Sequence, residues 1–385
     1  WLLEVTNRSA RRRRLSVFSF CEFTNQWDTY QDQVNLQYSL FIVRGEKTDD
    51  NLLRIAIQDN LTTENEEYTE HDMARHTWMA LTGSPMTGFD TSREAFLGNY
   101  RGYHNPIAVE RGECSNSLVY GGNACGVTQT EIELEPGETR EIMVMLGIGD
   151  ARTTGRKKLQ EFGNFERARI ELEKLKAVWH ARLGALTVET PDEDLNHTIN
   201  VWGLYNCLIT FAWSRAASLV YNGERDGLGF RDSVQDVLGI VSAIPEKARE
   251  RLDLMLSGQL SNGGAIPIIR PFEHRPGMEP SPDPQELRSD DCLWFFNAIP
   301  AYVTETGDFE YYQKMIPYAD QGCASVYDHL RRALEFNLER TGKNGLPCGL
   351  AADWNDCLRL GYKGESLFVA FQVRLGLITL SEIAE

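Results

Sequence analysis

The spacing of apolar and polar positions changes near residue 150. Before that point apolar residues come in short runs rich in β-branched and aromatic side chains, such as LSVFSF at Leu15–Phe20 and LQYSLFIV at Leu36–Val43. Runs of this kind predict strands. EIELEPGETREIMVMLGIG predicts a hairpin: Ile132 and Leu134 alternate with acids, Pro136-Gly137 makes the turn, and Ile142, Val144, Leu146 and Ile148 alternate out to Gly149. Residues 1–150 therefore read as an antiparallel β-sandwich domain.

After Gly149 the spacing becomes helical. Leu159, Phe162, Phe165, Leu172, Leu175, Trp179 and Leu183 recur through a highly charged stretch and predict one long amphipathic linker helix over about 155–183, within a linker region 151–190. Thr190-Pro191-Asp192 breaks the chain and caps the next helix. From 191 to 385 the pattern predicts helices at 193–213, 232–243, 246–260, 290–306, 308–340 and 363–382, with no strand pattern among them. Several are apolar nearly all round, as in a layered helical array or barrel. The expected fold is thus multidomain β + α: sandwich, linker helix, helical domain.

The chain has 385 residues, enough for two or three domains with sizeable cores. Its net charge of −17 argues against nucleic acid or an anionic membrane surface as partner. The basic run Arg11–Arg14 leads straight into a strand and reads as a solvated edge. No apolar run approaches the length of a membrane span, and no signal peptide is visible. Eight cysteines without a CxxC pair give no zinc or redox motif and suit reduced thiols in a cytoplasmic protein.

Four loop-like stretches could carry chemistry. GLPCGLAADWNDCLRLG, Gly345–Gly361, is broken by glycine and proline and ends in Asp353, Trp354, Asn355 and Asp356. A tryptophan beside a carboxylic acid suits a sugar site, because the ring covers an apolar sugar face and its wall can keep an acid protonated. An Asx-rich turn around a core tryptophan fits the same residues. SRAASLVYNGERDGLGFRDSVQD, Ser214–Asp236, interleaves Arg215, Arg225 and Arg231 with Asp226, Asp232 and Asp236. Such pairs fix each other's rotamers and leave donors for a polyhydroxylated ligand or a phosphate, though a plain salt-bridge network would look alike. Ser261–Asp291 holds six of the fourteen prolines and could be a rim carrying Arg270, Glu273 and His274, or a structural excursion. Ser84–Ser117, with Arg93, Tyr100, Arg101, Tyr103, His104 and Arg111, could line a site or form a surface lobe.

Glycoside cleavage normally needs two carboxyl groups, one as proton donor and one to activate water or attack. The loop around Asp356 offers one acid and no obvious distant partner. Phosphate can replace the second group, since it is itself a nucleophile near neutral pH and needs only cationic anchoring. A Trp–Asp loop paired with an Arg–Asp loop thus makes sense as phosphorolysis.

YNGERDGLGFRDSVQD, LSNGGAIP and GLPCGLAADWNDCLRLG, in that order, together with FDTSREAFLGNYRGYHNPIAVERG, resemble the cellobiose and cellodextrin phosphorylase family, glycoside hydrolase family 94. The resemblance spans nearly the whole chain. It implies a β-sandwich, a helical linker and an (α/α)6 barrel. It also implies reversible, inverting phosphorolysis of a β-linked glucoside to α-glucose 1-phosphate by a homodimer, with inorganic phosphate as co-substrate and no cofactor or metal. Carried residue by residue, Asp356 matches the general acid and Trp354 its sugar-contacting neighbour. Arg215, Arg225 and Asp232 match glucosyl-holding residues, and Arg231 a phosphate-contacting arginine. Asp353, Asp226 and Asp236 are assigned to holding loops and arginines in place. The family's phosphate site also takes a histidine and a Thr-Gly pair from later helices. The chain is therefore expected to be a fragment, lacking part of the sandwich and the C-terminal half of the barrel, and to be unstable and inactive alone. A β-glucan oligosaccharide is the expected partner, with laminaribiose or cellobionic acid as alternatives on the acceptor side. Two other readings stay open: an inverting hydrolase using Asp232 or Asp236 as its second carboxylate, and a non-catalytic glucan-binding protein.

Overall fold

A computed structural model describes residues 1–25, 37–48, 51–57, 75–214, 227–271 and 273–385. The chain forms two units, Trp1–Leu175 and Lys176–Glu385, with the division inside one helix.

The first unit is built on two antiparallel sheets. Strands β1 (Leu2–Thr6), β3 (Val43–Lys47), β4 (Leu52–Ile57), β5 (His76–Thr82) and β8 (Thr139–Ile148) make a five-stranded sheet in the order β1-β8-β5-β4-β3. Strands β2 (Arg13–Glu22), β6 (Gly88–Ser92) and β7 (Ala124–Leu134) make a three-stranded one in the order β2-β7-β6. The two-residue period explains the layering. On β4 and β5, Leu53 and Met79 pack with Val144 and with Phe89 of the other sheet. Leu52, Trp78 and Ala80 point the opposite way, under Ala151 and Leu159. Trp78 lies across Gly147, its antiparallel partner, where a Cβ would sit 2.3 Å from the ring.

The hairpin expected over 131–149 is not formed. Both strands and the turn exist, but β7 pairs with β2 and β8 pairs with β1, so the turn carries the chain from one sheet to the other. The reason lies in Asn7, which is buried in the β1–β2 connection. Its amide donates to the carbonyls of Leu134 (2.9 Å) and Arg11 (2.8 Å), and its own carbonyl accepts from the Gly137 N–H (2.8 Å). Two arches therefore satisfy each other's backbone, and Ile132, Leu134 and Ile142 share one apolar cluster beneath them.

The linker helix is also interrupted. A helical segment ends at Phe162, and α1 (Phe165–Leu183) begins after Gly163-Asn164. The Asn164 side chain accepts from Arg167 N at 3.2 Å, which caps the new start.

The second unit is mainly helical: α2 (Leu204–Trp213), α3 (Phe230–Asp236), α4 (Pro245–Leu256), α5 (Phe295–Thr306), α6 (Val326–Leu338) and α7 (Leu367–Ala384). Its core joins Phe230, Val234, Leu252, Met255, Phe295, Ile299, Leu334 and Phe336. Gly263, in the SNGG turn, has φ +93° and sits so close to the Arg332 carbonyl that a Cβ would lie 2.2 Å from it, so only glycine fits.

The expectation of one helix over 308–340 fails. Pro317 and Gly322 (φ +81°) turn the chain into a ribbon, Met315–Pro317 with Cys323–Ser325, before Ser325 caps α6. Short ribbons also pair Leu228–Gly229 with Ile268–Ile269 and Cys348–Leu350 with Gly361–Glu365, so the region after 190 is not free of strands. By length and composition α7 is apolar enough to cross a membrane, contrary to the sequence reading. Its Val369, Val373 and Gly376 face is buried, with Gly376 close against Leu334 and Phe296, while Leu367, Phe371 and Leu377 are exposed.

Candidate active site

The site grows from the start of α3. Phe230 and Val234 are fully buried and lock this short helix, and Phe230 N donates to the Pro267 carbonyl at 3.1 Å. Phe230 packs edge-on against Phe295 of α5 at 5.6 Å. Between these anchors Arg231 is carried into the interior, with 6% of its side chain exposed.

Arg231 is shared among three acceptors. Nη1 donates to Asp290 Oδ1 at 3.1 Å and to the Asp353 carbonyl, and Nη2 donates to Asp356 Oδ1. Asp290 is wholly buried, and its other oxygen accepts from Trp294 Nε1 at 3.1 Å. Burial alone would lower the Arg231 pKa, but the charges of Asp290, Asp291 and Asp356 outweigh it and hold the guanidinium above its ordinary value. Burial raises Asp290, with Arg231 opposing.

The Asp356 loop is held from below. Leu350 has φ +54°, a strained value for leucine, and is fixed by pairing with Gly361 and with Arg288. Ala351 N donates to the Leu287 carbonyl and Ser289 N to the Ala352 carbonyl, each at 3.0 Å. Buried Asp353 accepts from Asn355 N at 2.9 Å and from the Ser366 hydroxyl at 2.7 Å, while the Ser366 oxygen caps α7. Asp353 thus ties the loop to a helix start. Asp356 is left at the surface with 64% of its side chain exposed, beside Trp354 at 56%. Arg288 Nη2 lies 3.9 Å from the same Asp356 oxygen.

The structure brings Arg231, Asp353 and Asp356 together. Asp232 and Asp236 are half-buried on α3. Arg215, Arg225, Tyr221 and Asp226 lie outside the described residues. Of the residues named in the third loop, Arg270 packs beside Gly227 and lies 4.0 Å from Glu273, and buried His274 contacts Ser257 (3.0 Å) and Glu279 (2.7 Å). It is the end of that loop, Arg288 and Asp290, that reaches the site. The signal was present in RSDD, an arginine and paired acids directly before an apolar helical run. Among the described residues no three His, Cys, Asp or Glu side chains gather as a metal site.

Asp291, next to Asp290, is buried with neither carboxyl oxygen partnered among the described residues. Burial, then the charge of Asp290, pushes it up to about 8. A free aspartate titrates near 3.9, so folding tightens proton binding here. This group favours the fold fully below about pH 4, and that contribution is lost as pH rises through its folded value. Asp291→Asn is therefore expected to flatten the fall in melting temperature between about pH 5 and pH 8. An unchanged slope would assign the titration to another group.

Comparison with known proteins agrees with this architecture. Residues 1–165 match the glycosyl hydrolase 94 supersandwich domain, and residues 178–385 match the glycosyl hydrolase 94 superfamily catalytic domain. The chain belongs to the glycosyl hydrolase 94 family. It is 36% identical over 390 residues to an N,N'-diacetylchitobiose phosphorylase of Vibrio proteolyticus, covering 96% of this chain and 47% of that protein. It is 28% identical over 391 residues to a solabiose phosphorylase of Paenibacillus borealis, covering 100% of this chain and 46% of that protein. A cellobionic acid phosphorylase of Neurospora crassa is 26% identical over 381 residues, covering 95% of this chain and 44% of that protein. The chain thus spans about half the length of the curated relatives it matches.

Proposed function

We propose that the full-length protein is an inverting phosphorylase that cleaves a β-linked disaccharide with inorganic phosphate. The observation that supports this most directly is the contact between the buried Arg231 guanidinium and the exposed Asp356 carboxyl, beside Trp354. A phosphate oxygen attacks the anomeric carbon and the bond to the bridging oxygen breaks. The Asp356 carboxyl proton passes to that oxygen, and the proton of hydrogen phosphate restores Asp356. The products are an α-sugar 1-phosphate and the shortened sugar. Trp354 covers a sugar face, Asp232 with Arg215 and Arg225 holds the transferred unit, and the Nη2 end of Arg231 faces phosphate. The enzyme works as a cytoplasmic homodimer, which suits its eight free thiols.

For the sugar itself, the motifs favour a β-1,4-linked glucoside such as cellobiose, whereas relatives at 36% and 34% identity are N,N'-diacetylchitobiose phosphorylases. The two substrates differ in the substituent at the 2-position, so both belong in one assay. Full-length protein is incubated with each disaccharide, with and without phosphate. Sugar 1-phosphate is expected to form from one of them only when phosphate is present. Cleavage that proceeds equally without phosphate would replace this reading with hydrolysis.

A further inference from the structure

The described part of the site contains a second guanidinium with no close partner. Arg231 has its Nη1 end committed to Asp290 and the Asp353 carbonyl and can turn only Nη2 outward. Arg288 is different. Its backbone is pinned by the bridge to Leu350. Its side chain is 30% exposed, and its nearest charged partner is the same Asp356 oxygen at 3.9 Å, beyond hydrogen-bond length. Asp356 therefore sits between two cations, one buried and one open. A carboxylate held that way neutralises the cations that an incoming oxyanion needs, and cannot serve as proton donor while it does so.

Resting on the phosphorylase reading above, we propose that Arg288 binds the co-substrate phosphate. It forms with Arg231 Nη2 a two-arginine clamp, from which phosphate displaces the Asp356 carboxylate. The displaced carboxylate receives a proton from dihydrogen phosphate, leaving hydrogen phosphate to attack, and passes that proton to the bridging oxygen as the glycosidic bond breaks. Phosphate thereby supplies the attacking atom and also frees the acid. A planar guanidinium suits this because it meets two phosphate oxygens with parallel hydrogen bonds.

The test uses full-length protein and its Arg288→Gln and Arg288→Lys variants, with phosphate varied at saturating disaccharide. Arg288→Gln is expected to raise the KM for phosphate roughly ten- to a hundredfold, the usual worth of charged hydrogen bonds, with the KM for disaccharide within about twofold. Arg288→Lys is expected to fall between parent and Gln variant. Inorganic phosphate should raise the melting temperature of the parent more than that of Arg288→Gln, a readout independent of turnover. An unchanged phosphate KM together with an unchanged phosphate-induced melting shift would overturn the role of Arg288 while leaving phosphorolysis intact. Phosphate-independent cleavage by the parent would instead remove the reading on which this one rests.

Discussion

Asp356→Asn in the full-length protein is expected to lower the rate of phosphorolysis by roughly a hundred- to ten-thousandfold, the range for loss of a positioned general acid. Asparagine keeps the shape and cannot give up a proton to the bridging oxygen. On the proposed reading the KM for disaccharide should change little, because Trp354 and Asp232 are left in place to meet the sugar. The melting temperature should also stay close to the parent value, because this side chain is 64% exposed and exposed ion pairs contribute little. A substrate with a good leaving group, such as an aryl glycoside, should lose far less, since its departing oxygen needs no proton. Sugar 1-phosphate release at near-parent rates would move the proton donor to another residue.

Arg231→Met is expected to do the opposite kind of damage. Its first effect is on the fold. Asp290 is wholly buried, and Arg231 is the cation that answers it. Removing one partner of such a pair leaves an uncompensated charge in the interior, at a cost of about 3–5 kcal/mol. The Asp353 carbonyl and the Asp356 carboxyl lose their donor at the same time. The double variant Arg231→Met/Asp290→Asn, with this buried pair replaced by two neutral side chains, should recover much of the lost stability. Denaturant midpoints of the parent, Arg231→Met, Asp290→Asn and the double variant measure this. A double variant no more stable than Arg231→Met would mean that the methionine itself does not fit.

Much of this could be read from residue order, and the failures have a common cause. The Asp353–Asp356 loop was visible because glycine, proline and adjacent acids are local signals. Arg231 stood out for the same reason, but its main partner, Asp290, is 59 residues away, and nothing in the spacing of the chain selects it over the adjacent Asp232. Alternation identified β7 and β8 and the turn between them. It could not say whether two strands pair with each other or part into different sheets, because both outcomes bury the same positions. Over 308–340 the apolar spacing fits a helix, but Pro317 and Gly322 break the run into a ribbon before α6. Half of the second loop, including Arg215 and Arg225, lies outside the described residues.

The two arches of the sandwich bear on how this chain must fold as it is made. β8 lies inside the five-stranded sheet, between β1 and β5, yet it is the last of the eight strands among the described residues of this unit to be synthesised. Among the described strands, β1 and β5 both wait for β8 to supply the partner that lies between them. Pairing across so long a stretch of chain is slow, because loop closure must precede any gain from contact. The nascent first unit therefore spends its early life as a sticky half-sheet, and its yield in cells should depend on chaperone capacity more than its final stability would suggest.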